Sequence, residues 1–173
     1  MTLIKRVFGI TTGILLSGCA STALQASRAP RLAHSAAIAV APFANYTTTP
    51  GAGSRAASMT ASLLLAHGLA HASTMTVDHH NRLPLGLEPD PATLLRKART
   101  MGDRYVVEGA VQEWRYTIGL DGQPAVAVTM DLVNVKSGRI VWTATASRSG
   151  GPRESVGVLA EDTLNAMIRR LLS

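Results

Sequence analysis

Aromatic side chains make up only 4% of this 173-residue chain, charged ones 16%, and cysteine occurs once. Each shortage excludes something. Nucleic-acid binders interleave a basic stripe with aromatics, and no such stripe occurs here. One thiol excludes an intrachain disulfide, so the fold rests on packing alone. No stretch reaches the roughly 18 apolar residues that a membrane-spanning helix needs. The nucleophile elbow, the phosphate loop and the dinucleotide fingerprint are all missing, and nothing argues for an enzyme.

What is present begins at the N-terminus. Lys5 and Arg6 precede an apolar run from Val7 to Leu16, and Leu15-Leu16-Ser17-Gly18-Cys19 closes it. A charged n-region, a short h-region and a small-residue cleavage site make an export signal. The thiol directly after Leu-Ser-Gly resembles the bacterial lipobox, whose cysteine is acylated and becomes the first residue of the mature protein. The alternative is an ordinary signal peptide that happens to contain a cysteine. Residues 1–18 are therefore expected to be a lipoprotein leader. Residues 19–34, rich in Ala, Ser, Thr and Arg, read as a lipidated tether able to reach on the order of 50 Å when extended. Residues 35–173 form a single domain.

Setting aside Lys5 and Arg6 lowers the net charge from +6 to +4. Between Tyr105 and Val135, Glu108, Glu113, Asp121 and Asp131 face Arg115 alone, leaving a local net of −3. This is either chance scatter or one acidic surface on an otherwise basic domain.

The domain reads as β-α-β-α-β-β-β-α. Ala36 to Phe43 is a short, continuously apolar strand ending near Pro42. Ser54 to His67 has helical spacing with Gly68 beyond it, and Thr74 to Asp78 reads as the second strand. Pro91 or Ala92 to Met101 is a helix, with proline in its first turn and Gly102 after its end. Tyr105 to Tyr116, Ala125 to Val135 and Ile140 to Ser147 are strands joined through Asp121-Gly122 and Lys136-Ser137-Gly138. A last helix follows Ser155, with Arg169 and Arg170 suiting its negative end. Five strands in a mixed sheet and three helices predict a two-layer α/β sandwich. Alternation assigns Val107, Gly109 and Val111 to one face of the third strand and Glu108, Ala110, Gln112, Trp114 and Tyr116 to the other. The face away from the helices is expected to be small, hydroxylic, partly acidic and uncovered.

Candidate chemistry is thin. His67 and His71 have the spacing of a helical metal pair, but Gly68 interrupts the helix and no third ligand is evident, so no metal is expected. His79 and His80 read as solvated loop residues, and Gly51-Ala52-Gly53 as a flexible helix entry rather than an anion loop. Glu108 and Asp131 are a carboxylate pair on adjacent strands. Trp114, Tyr116 and Trp142 either pack in the core or at the sheet edge, or anchor an interface or membrane surface.

Ile38-Ala39-Val40-Ala41-Pro42-Phe43-Ala44-Asn45-Tyr46-Thr47 before a helix resembles the opening of the CsgG and LpoB-like superfamily of periplasmic lipoproteins. Glu108-Gly109-Ala110-Val111-Gln112-Glu113-Trp114-Arg115-Tyr116, with Gly119-Leu120-Asp121-Gly122-Gln123-Pro124-Ala125-Val126, resembles more narrowly the PelC family, outer-membrane lipoproteins of Pel exopolysaccharide export in biofilm formation. Ser137-Gly138 before Ile140-Val141-Trp142, and Ala146 to Gly150 with Arg153-Glu154-Ser155, fit the same pattern.

The resemblance implies a non-enzymatic protein on the periplasmic face of the outer membrane. N-acyl and S-diacylglycerol groups on Cys19, palmitate among them, would hold it there, with no other cofactor. Ala20 after the cysteine fits outer-membrane sorting. It further implies a homo-oligomeric ring, a dodecamer, beneath a PelB-like porin, guiding a cationic polysaccharide through an acidic opening. Glu108, Glu113, Asp121 and Asp131 are the candidate polymer-facing acids; Trp114, Tyr116 and Trp142 are the candidate membrane or interface aromatics. A curli-type channel is disfavoured, because no spare amphipathic segments exist to build a barrel. An LpoB-like activator of a peptidoglycan synthase is the alternative.

Overall fold

The computed structural model describes residues 21–75, 90–117 and 122–173; the leader, Cys19, His79, His80 and Asp121 lie outside them. Ten elements run along the described residues: β1 (Thr22–Ala26), β2 (Ala37–Val40), β3 (Ala44–Asn45), α1 (Ala52–Ala66), β4 (His71–Thr74), α2 (Pro91–Met101), β5 (Tyr105–Tyr116), β6 (Pro124–Asn134), β7 (Arg139–Ser149) and α3 (Val156–Leu172). The sheet has seven strands, ordered β1-β7-β6-β5-β2-β4, with β3 also paired to β5. It is therefore larger than the five-stranded sheet expected from sequence. One half is antiparallel; β2 pairs with β4 and β5 in parallel.

The two additional strands have different origins. Thr22–Ala26 falls within the tether expected from sequence but pairs antiparallel with β7, from Thr22 opposite Arg148 to Ala26 opposite Ala144. Ala44–Asn45 continues β2 beyond Pro42, which cannot donate to a ladder. The second expected strand is displaced as well: β4 is His71–Thr74, not Thr74 to Asp78.

Packing on the main face is set by period-two alternation. Val126, Val128, Met130 and Leu132 of β6 are completely buried in the main core, beneath α3. Burying each is worth about 1.5–3 kcal/mol, and a one-residue slip would expose all four, so the register is strongly held. Leu159, Leu164, Met167, Ile168 and Leu171 supply the α3 side of this core. Ser155 caps α3 by accepting a hydrogen bond from the Gly157 amide at 3.2 Å.

The second helix departs from the two-layer expectation. Leu94 and Ala98 of α2 pack with Ala39, Ala41 and Val106, which point to the opposite face from Ile38, Val40 and Val107. Chain handedness explains this. The β2-α1-β4 crossover moves outward along the sheet, whereas β4-α2-β5 moves back over β2. Right-handed connections in opposite directions place their helices on opposite faces. Among the described residues, the antiparallel half of the far face is left without a helix.

Candidate functional site

That uncovered half carries the polar residues of β5, β6, β7 and β1. A β-bulge decides which side chains reach it. Register shifts between Val111 and Glu113, leaving Gln112 as the extra residue. Beyond it the parity of β5 inverts: Trp114 joins Tyr105, Val107 and Val111 in the core, while Glu113 turns onto the face occupied by Glu108.

Two of the aromatic candidates are thereby corrected. Trp114 and Trp142 are 4% and 1% exposed and belong to the main core, so neither is presented at the surface of this chain. Their large apolar areas outweigh the polar indole edge, although the Trp142 indole N–H finds no partner among the described residues. Tyr116 is 43% exposed at the end of β5 and remains a surface aromatic.

Three of the four acidic candidates share the uncovered face. Glu108 stands directly opposite Asp131, and Asp131 in turn opposite Thr143. Like charges in such a pair are destabilising, typically by a few tenths of a kcal/mol. Glu113 lies opposite Ala127, and its Oε1 accepts a hydrogen bond from Arg115 Nε at 2.5 Å. Arg115 also donates to Thr117 Oγ1 at 2.8 Å, which fixes its guanidinium beside Glu113. Glu108 and Asp131 line a small cavity of about 140 Å³ with Ala41, Pro42, Pro91 and Leu94. The first turn of α2 forms one wall, and its positive dipole end favours charge of the opposite sign nearby.

A hydroxyl and amide ladder crosses the strands beside these acids. Gln112 Nε2 donates to Thr129 Oγ1 at 2.9 Å, and Thr129 Oγ1 lies 3.2 Å from Thr145 Oγ1. In the next row, the Thr143 amide donates to Ser27 Oγ at 3.0 Å. The contributions of β1 and of Glu113 were not visible in the pattern. The useful clue was a conflict of parity, since simple alternation placed Trp114 beside Glu108.

His67 caps α1, and its ring is 2.7 Å from Asn165 Oδ1, while His71 belongs to β4. Among the described residues no cluster of three potential ligands occurs, and no helix is long and apolar enough to cross a membrane.

The face can therefore hydrogen-bond and attract cations over an open surface. A chain with this architecture is the PelC dodecamer subunit of Paraburkholderia phytofirmans, with a TM-score of 0.77 and 35% identity over 88% of this chain and 99% of that one. The chain belongs to the PelC family. A single-substitution variant of the same PelC, also a dodecamer, matches with a TM-score of 0.75 and 35% identity, over the same 88% and 99%. The family model described as peptidoglycan-synthase activator LpoB matches residues 57–147, more than half of this PelC-family chain. Lipoprotein GNA1162 of Neisseria meningitidis shares the fold at 19% identity and a TM-score of 0.54, over 78% of this chain and 99% of its own. A search of curated proteins returns no match.

Proposed function

We propose that the protein is a non-enzymatic outer-membrane lipoprotein that assembles into a ring of twelve and guides a Pel-type exopolysaccharide to an outer-membrane porin. The observation that carries this reading is the 35% identity, over 99% of its length, to a PelC that forms a dodecamer. Acyl groups on Cys19 hold the ring at the periplasmic side of the membrane. Glu108 and Asp131, neighbours in register, attract the amino groups of a cationic polymer, and the Gln112-Thr129-Thr145 ladder offers hydroxyl partners to its sugars. Glu113 contributes less, because Arg115 neutralises it.

The match to the LpoB family model favours one other reading, a monomeric activator docked on a peptidoglycan synthase. Light scattering of the full-length protein in detergent separates the two. A mass of about twelve protomers supports the ring, and a monomer at every concentration overturns it. Export then tests the acids. In a strain lacking the native copy, Glu108→Lys with Asp131→Lys is expected to assemble normally and lose polysaccharide secretion. Undiminished secretion would show that this face is not the conduit.

A further inference from the structure

The end of the sheet opposite the start of β1 is strongly cationic. There β1 leaves the sheet, α2 and α3 finish, and the β6-β7 turn lies between them. One groove of about 650 Å³ is bordered by Arg28, Arg31 and Arg170. A second, of about 540 Å³, is bordered by Arg99, Arg104 and Lys136. Arg139 stands exposed at the start of β7, near the turn that holds Lys136. The ion pairs Arg115–Glu113 and Arg148–Asp162 both belong to the other half of the domain. By contrast, Arg104, Lys136 and Arg139 have no acidic partner among the described residues. Asp103 is the carboxylate lining the second groove, and burial pushes its pKa up.

Apolar groups are exposed in the same region. Ile140 is 60% exposed, because the bulge between Leu132 and Val133 turns it away from the main core, and Met101 at the end of α2 is 51% exposed. Cations mixed with exposed aliphatic side chains suit neither a polyanionic glycan nor a nucleic acid, whose phosphates or carboxylates have no use for Ile140. They do suit a polypeptide that alternates acidic and apolar residues. From β1 to β5 the cations span four strands, about 14 Å, the length of a few extended residues.

We infer that this cationic end docks an acidic, partly apolar segment of a partner protein. Its orientation rests on the lipid-anchor reading. Cys19 is three residues before Thr22, at the far end of β1, so the cationic end faces away from the bilayer and toward periplasmic proteins.

The test uses the full-length protein in detergent and fluorescein-labelled peptides at low salt. A sixteen-residue peptide alternating glutamate with leucine and alanine (about 50 Å when extended) is expected to bind, and more tightly than polyglutamate of equal length. Arg104→Glu with Lys136→Glu is expected to weaken it about tenfold or more. Ile140→Ser is expected to weaken it several-fold, and Arg153→Glu, in the β7-α3 loop, to leave it unchanged. Absence of binding overturns the proposal, as does heparin binding at equal affinity with Ile140→Ser silent. Loss of oligomer in the double reversal also overturns it, since the surface would then be a contact between copies. Cys19→Ser tests the anchor separately: it is expected to release the protein from membranes while peptide affinity persists.

Discussion

The aromatic ring of Phe43 rests on the backbone of Gly109, so closely that a Cβ there would stand 2.5–2.8 Å from three ring carbons. Gly109 lies next to Glu108 on β5, so this contact helps hold the acidic pair at its height on the sheet. Gly109→Ala is expected to cost about 1–3 kcal/mol in urea denaturation, because the ring must shift within a packed core. Phe43→Leu in the same chain should recover part of that loss. Additive costs from the two substitutions would show that the ring and the glycine are not coupled.

The bulge at Gln112 gives a sharper test. Deleting Gln112 joins Val111 directly to Glu113, so simple alternation without the bulge keeps Glu113 outward and Trp114 in the core. The expected loss is only about 1 kcal/mol, that of the Gln112–Thr129 hydrogen bond. Near-ultraviolet circular dichroism and tryptophan emission report the outcome directly. Unchanged emission is expected; a red shift with a large loss of stability would mean that the bulge itself is needed to keep Trp114 in the core.

Two buried threonines should respond in opposite ways. Thr60 Oγ1 on α1 has no hydrogen-bond partner among the described residues, and Thr60→Val is expected to stabilise the fold by about 1 kcal/mol. Thr163 Oγ1 donates to the Leu159 carbonyl at 2.6 Å, so Thr163→Val should lose about 1 kcal/mol. Thermal unfolding of the pair measures both against one baseline.

Asp90 links α2 to pH. Its carboxylate accepts hydrogen bonds from the Thr93 hydroxyl and then from the Ala92 amide, and these hold its pKa below the usual carboxylate range. The folded-state value is thus depressed. The contribution of the cap is complete above the ordinary aspartate pKa and is lost as pH falls through the depressed one. Asp90→Asn keeps a capping oxygen but removes that acid-side dependence. Melting temperatures measured from neutral into acid pH should therefore fall less steeply in the variant; parallel curves would exclude Asp90 as a contributor.

The parts of the fold legible in the sequence were those whose signals were local. Pro91 and Gly102 bracket α2, Ser155 opens α3, and unbroken alternation marks β6. β1 and β4 were obscure for the opposite reason. Thr22–Ala26 and His71–Thr74 are short edge strands of mostly exposed small or polar residues, recruited by backbone pairing with β7 and β2 rather than by burial. The side taken by α2 depends on strand order, which no stretch of sequence records. At the candidate face, Glu108 and Asp131 were readable as cross-strand neighbours, whereas the placement of Glu113 needed the bulge.

The pairing of β1 with β7 also changes what a lipid on Cys19 could do. With the chain already fixed in the sheet at Thr22, only about 10 Å of slack separates the acyl groups from a rigid body, rather than the roughly 50 Å of a free leash. Such a domain would be moored flush against the bilayer with little freedom to swing. Neighbouring copies would then meet at a common height and tilt, and the entropy lost when they associate would largely have been surrendered already.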